Sequence, residues 1–167
     1  MTLLGDTDRT TVTLAAASGA RSMMGPMIVA HALRGRLNGA PQPARILGHP
    51  RAATLLGVMA AGETIGDKLP GIPARVAPPA LAGRIGSGVL VGTAIAAASG
   101  GSRMRGALIG GATAALSAVV TYHVRRWLGS RAGIPDGILA VAEDALVLRV
   151  ATGASAGVRR AALEGRP

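Results

Sequence analysis

Five charged residues stand in stretches that otherwise hold almost no charge: Arg21, Glu63, Asp67, Glu143 and Asp144. An ionised side chain among apolar neighbours needs a partner or a water-filled cavity. When those neighbours belong to membrane helices, such residues mark ion, proton or solute paths. Glu63 and Asp67 are four positions apart, so a helix sets both carboxylates on one face, and Lys68 follows at once to neutralise either. Pro26, shortly after Arg21, removes a backbone hydrogen bond and frees carbonyls one turn earlier. These five residues form a candidate ion or solute site. Two plainer readings stay open beside it. The charges could form buried pairs, such as Arg21 with Glu63 or with Glu143, that only fix helix register. Alternatively, Arg21 sits on a short tilted helix and snorkels to the surface. A central Arg costs at least about 2.5–3.5 kcal/mol on insertion scales, so some compensation is required.

Other chemistries find little support. There is no Cys, hence no disulfide and no thiolate metal site. His31 and His123 fall near the ends of apolar runs, without a further ligand cluster or a haem-attachment motif, which suits interfacial hydrogen bonding. No Gly-rich phosphate loop, nucleophile elbow, HExxH or Ser/His/Asp arrangement occurs. The chain makes no case for an enzyme, a cofactor or a metal. Its net charge of +10 invites a nucleic-acid reading. That reading fails, because the Arg residues are spread over nearly every segment between apolar runs, with no basic stripe and no aromatics interleaved for base stacking.

The elements that would position these residues follow from composition. Of 167 residues, 49% are hydrophobic, only 16% are charged and 25 are Gly, against roughly 25% charge in a soluble domain. The charge is concentrated in short segments between long neutral runs, which predicts an all-α, polytopic transmembrane bundle of about five helices. The runs cover 11–33, 52–65, 81–99, 104–128 and 138–156. The first would reach about 34 Å as one helix, enough to cross a bilayer. Residues 1–10 read as an N-terminal tail without the positive flank of a signal peptide, 11–156 as the transmembrane domain, and 157–167 as a basic C-terminal tail. With five crossings, seven basic residues fall on one side and ten on the other. That places the N-terminus outside and the C-terminus in the cytoplasm.

Phe is absent, and there is one Trp and one Tyr. Helices in lipid associate through close backbone approach, which small residues serve best. The spacings Gly62/Gly66, Gly88/Gly92 and Gly106/Gly110 are candidates for such contacts. An internal repeat is also visible. GARSMMGPMIVAHALR at 19–34 matches GATAALSAVVTYHVRR at 111–126, and GVMAAGE at 57–63 matches GILAVAE at 137–143. The implied halves are 15–69 and 107–149, in inverted topology if three crossings separate their starts.

The motifs GARSMMGP, ETIGDKLPGIPAR and AED resemble a family of small bacterial membrane proteins catalogued as domain of unknown function 4126. The matching positions are Gly19, Arg21, Pro26, Glu63, Asp67, Lys68, Pro70, Glu143 and Asp144. The resemblance implies a multi-pass protein of the bacterial inner membrane and no particular activity. The functional expectation is a small transporter or channel-like protein with its site between the two halves. The alternative is a non-catalytic membrane subunit or scaffold whose polar residues only hold helices together. The partners are the lipid bilayer and further copies of the chain in a homo-oligomer.

Overall fold

The first apolar run is not one helix. The computed structural model describes residues 5–35, 41–66, 77–134 and 136–165. Helix α1 (Asp6–Ala20) ends just before Arg21, and α2 (Met24–Leu33) begins three residues later. Pro26 explains part of this. It is the third residue of α2, inside the first turn, where its missing N–H is not needed; further along a helix its ring would clash with the Ser22 carbonyl. Gly25 explains the rest. A Cβ there would collide with the Ser18 side chain and the Leu14 carbonyl. Residues 14 and 25 would be about 16 Å apart on a straight helix, so the chain has reversed. Helices α1 and α2 form a hairpin with Arg21, Ser22 and Met23 at its tip.

The remaining elements are α3 (Ala44–Leu47), α4 (Pro50–Gly66), α5 (Pro78–Ala98), α6 (Arg103–Ala132) and α7 (Asp136–Glu164), with no strand among the described residues. Prolines occupy the first turn of α5. The turn into α6 uses Gly100 at φ 71°, a conformation that suits glycine. The Ser102 hydroxyl caps α6 by accepting from the Arg105 N–H at 3.3 Å. Between α5 and α6 the backbones meet directly. A Cβ on Gly88 would strike the Gly110 carbonyl, one on Gly92 the Gly106 carbonyl, and the reverse holds for both partners. Two of the three glycine spacings therefore mark a reciprocal antiparallel contact. At Gly62 a Cβ would meet open space.

Paired contacts fix the direction of each helix. Helix α1 runs alongside α6 in the same sense: Arg105 bonds Asp8 at 2.7 Å, and the Ser117 hydroxyl donates to the Ala16 carbonyl at 2.8 Å. Helix α7 runs against α1, with Gly157 beside Thr10 and Asp144 beside Arg21. Helix α4 runs against α2, with Gly57 beside His31 and Glu63 at Ser22. The hairpin returns to the end where it started, and α4, α5, α6 and α7 then alternate in direction. Six passes, an even number, bring the end of α7 back beside the start of α1, and Arg160 lies 3.7 Å from Asp6. We call this the near end.

Several expectations are corrected by this course. The chain ends do not lie at opposite ends of the bundle, because the first run turns back instead of crossing. Both expected tails are largely helical: α1 begins at Asp6, and α7 continues to Glu164 with Ala161 and Ala162 buried. Of the repeat-matched segments, α2 runs opposite to α6, and α4 opposite to α7. However, α6 is unbroken where the first copy breaks, because Arg21 and Pro26 align with Thr113 and Ala118.

The core is aliphatic and small, built on Leu14, Val29, Leu33, Val91, Ile95 and Val158 among many alanines. The outer faces of α4, α6 and α7 are also apolar, exposing Leu55, Val58, Leu108, Leu116, Val141 and Leu146. Among the described residues two helices are long and apolar enough to cross a membrane, Pro78–Ala98 and Arg103–Arg131, each with a mean hydropathy of 1.5 over its most apolar stretch. Half of that stretch is buried in the first but only 22% in the second, so α6 turns most of its apolar surface outward. Hydroxyls are satisfied within their own helices: Thr10, Ser18, Thr64, Thr93 and Thr152 each donate to the carbonyl four residues earlier.

Candidate functional site

The hairpin tip exposes the backbone groups that a continuous helix would have paired. The last carbonyls of α1 and the first N–H groups of α2 lose their intrahelical partners, and the tip is enclosed by protein. Arg21 itself is extended, at φ −137° and ψ 110°. Side chains from other helices satisfy these groups. The Ser22 and Met23 N–H groups donate to the Glu63 carboxylate at 2.7 and 2.9 Å, and the Ser22 hydroxyl adds a third bond at 2.9 Å. The Arg84 guanidinium donates to the Gly19 and Ala20 carbonyls at 3.1 and 2.8 Å. Each ion matches the helix dipole it meets, an anion at the start of α2 and a cation at the end of α1. Glu63 and Arg84 approach one another at 3.9 Å.

A second layer of charge lies on α7. Arg21 is only 1% exposed, and its Nε donates to Asp144 Oδ1 at 2.6 Å. Burial of this kind excludes snorkelling. Arg125 on α6 reaches Glu143 at 3.5 Å, with both side chains partly exposed. Glu143 and Asp144 are neighbours on a helix, so they point about 100° apart, one toward α6 and the other toward the hairpin. Among the described residues, Arg21, Arg84 and Arg125 and the carboxylates of Glu63, Glu143 and Asp144 lie on the elements that meet at the tip. Hydrogen bonds to charged groups contribute about 1.5–3 kcal/mol each, so the bonds to Glu63 are a substantial part of what holds α4 in place. Helix α4 otherwise buries only Ala53 and Ala60 fully.

Four of the five residues expected to form a site surround this tip; Asp67 lies outside the described residues. Arg21 pairs with Asp144, one of the site acids expected to compensate it, while Glu63 serves the backbone and Glu143 serves Arg125. Arg84 and Ser22 escaped the sequence reading. Arg84 carried a usable signal, since it is charged within an otherwise neutral run and is only 5% exposed. It falls near the start of the apolar run at 81–99, which suits a helix-end charge, whereas α5 begins at Pro78 and sets it nearly two turns inside the helix. His31 bonds its own helix at Met27, and His123 packs edge-on against Tyr122. No group of three metal-ligating side chains occurs among the described residues.

A separate cavity of about 280 Å³ opens at the near end between α1 and α7, lined by Asp6, Arg9, Arg160 and Glu164 among others. Comparison with protein-family models, with curated proteins and with solved structures finds no match.

Proposed function

We propose that this chain is a small multi-pass protein of the bacterial inner membrane that passes an ion or small solute at the tip of a re-entrant hairpin, without a catalytic step. The supporting observation is the buried helix break, whose two ends are held by Glu63 and Arg84. Non-helical backbone deep in a membrane is tolerated where it is buried in protein or lines a cavity, and broken helices are the usual means by which transporters present backbone groups to a cargo. The positions that carry the resemblance to the unknown-function family, Arg21, Glu63 and Asp144 among them, gather at the same tip. The outward-facing apolar surface of α4, α6 and α7 fits contact with lipid.

In this reading the bundle makes four crossings, through α4, α5, α6 and α7, and the hairpin enters from one side only. Both termini then share a side. Setting aside buried Arg21 and Arg84 at the tip and Arg149 in the middle of α7, the described residues place Arg9, Arg34, Arg45, Arg51, Arg103, Arg105, Arg159 and Arg160 at the near end, and Arg125, Arg126 and Arg131 at the far end. Eight against three favours a cytoplasmic near end. Opposite senses of α4 and α7 keep an inverted repeat within this reading.

The test is flux in vesicles reconstituted with purified protein. Monovalent-ion or small-solute leak above that of protein-free vesicles is expected, and the Arg21→Met/Asp144→Asn double variant should abolish it while remaining folded. One observation favours a scaffold instead: the tip charges are already partnered within the bundle. Flux equal to that of protein-free vesicles would decide for the scaffold.

A further inference from the structure

We infer that α4 is a hinged gate latched to the hairpin tip through Glu63, an inference that deepens the transport reading by naming the part that moves. Helix α4 is the least anchored long element. It packs along α2, touches α3 at its start, and buries only Ala53 and Ala60 fully, while Leu55, Val58, Met59 and Ile65 on its other faces are exposed. By contrast, α5 and α6 interlock through four glycines, and α1 is enclosed by α5, α6 and α7. A rigid helix with such uneven attachment swings about its anchored end rather than deforming along its length.

The anchored end is the start. The Gly48 carbonyl accepts from the Gly35 N–H at 3.0 Å, and Pro50 opens α4 just beyond. Glu63 stands thirteen residues beyond Pro50, so a lever of about 20 Å ends at the latch. There, Glu63 holds two backbone N–H groups and the Ser22 hydroxyl. Those donors belong to the hairpin tip, so releasing Glu63 uncovers that segment of backbone and leaves the Arg84 contacts with Gly19 and Ala20 in place. The bond from Arg21 to Asp144 joins the tip to α7. The hairpin stays seated while the gate opens beside it. Contact between Gly57 and the His31 ring, 3.8 Å away from a Cβ built on the glycine, is the mid-helix contact the swing must break.

The absence of native Cys makes paired spin labels straightforward. One pair, Ala61→Cys with Leu116→Cys, spans gate and bundle; a second, Leu116→Cys with Leu146→Cys, reports on the bundle alone. All three positions are exposed. Distances are measured in lipid nanodiscs with Glu63 intact and in the Glu63→Ala background. The expected result is a longer-distance population across the gate pair, with the open-to-closed ratio raised at least about tenfold, as loss of one charge-assisted bond implies. The bundle pair should not change. An unchanged gate pair would show that packing, not Glu63, holds α4. Broadening of both pairs would show that Glu63 supports the whole fold. Either result overturns the latch. A gate that opens in vesicles showing no flux would leave the latch standing and remove the transport reading.

Discussion

Arg21 is the most deeply buried charged residue described, and removing one member of its pair with Asp144 should hurt more than removing both. Arg21→Met takes the guanidinium from Asp144, and Asp144→Asn takes a charged acceptor from Arg21; for Arg21→Met the expected loss is about 3–5 kcal/mol. The double variant should recover most of it, as read from unfolding of the detergent-solubilised protein. Neutral single variants would mean that water, not Asp144, compensates Arg21. Arg125 and Glu143, at 3.5 Å and each partly exposed, should show the same pattern at a fraction of the size. At this scale the sequence revealed which residues matter better than it revealed their pairing. A charge in a neutral run is visible in one dimension. Which of two adjacent acids faces a given helix depends on a rotation of about 100° that only packing decides.

The contact between α5 and α6 gives a cleaner test at the scale of elements. Gly92→Ala and Gly106→Ala each place a methyl against the partner backbone and should cost about 1–3 kcal/mol as overpacking. Gly62→Ala meets open space on α4 and should be neutral or stabilise by about 0.5–1 kcal/mol, the helix preference for Ala over Gly. Thermal denaturation of the three variants side by side separates a contact glycine from an incidental one; equal effects would contradict the close approach. The same contrast bounds what composition could tell. Helices α4, α5 and α6 fall within a few residues of the apolar runs at 52–65, 81–99 and 104–128, because unbroken apolarity is a local property. The hairpin hid inside a run of suitable length. Its signals, Gly25 and Pro26, read equally well as a kink, and the reversal depends on Leu14 and Ser18 receiving the returning backbone.

For the whole molecule, the hairpin changes parity. In the proposed four-crossing topology, a first run that turns back puts the start of α1 and the end of α7 on one side, so reporter fusions after Asp8 and after Ala161 should report the same side of the membrane. Fusions reporting opposite sides would require α1 and α2 to straighten into one span. The charge balance of seven against ten rests on five crossings and changes in the four-crossing reading. Regrouped by the helix directions, the described arginines concentrate at one end. The near-end pairs Asp8–Arg105 and Asp6–Arg160 are too exposed to contribute much stability, and they serve as markers of that geometry.

The long sequence separations at the tip have a consequence for biosynthesis. Ser22 waits 41 residues for Glu63, Gly19 waits 65 for Arg84, and Arg21 waits 123 for Asp144. A ribosome therefore delivers the buried Arg21 early and its partner Asp144 almost at the end, after the self-sufficient glycine contact of α5 and α6. The hairpin tip has no settled place until α7 emerges. Nascent chains halted before residue 136 should leave α1 and α2 extractable by alkali and open to protease, and chains carried past residue 150 should not.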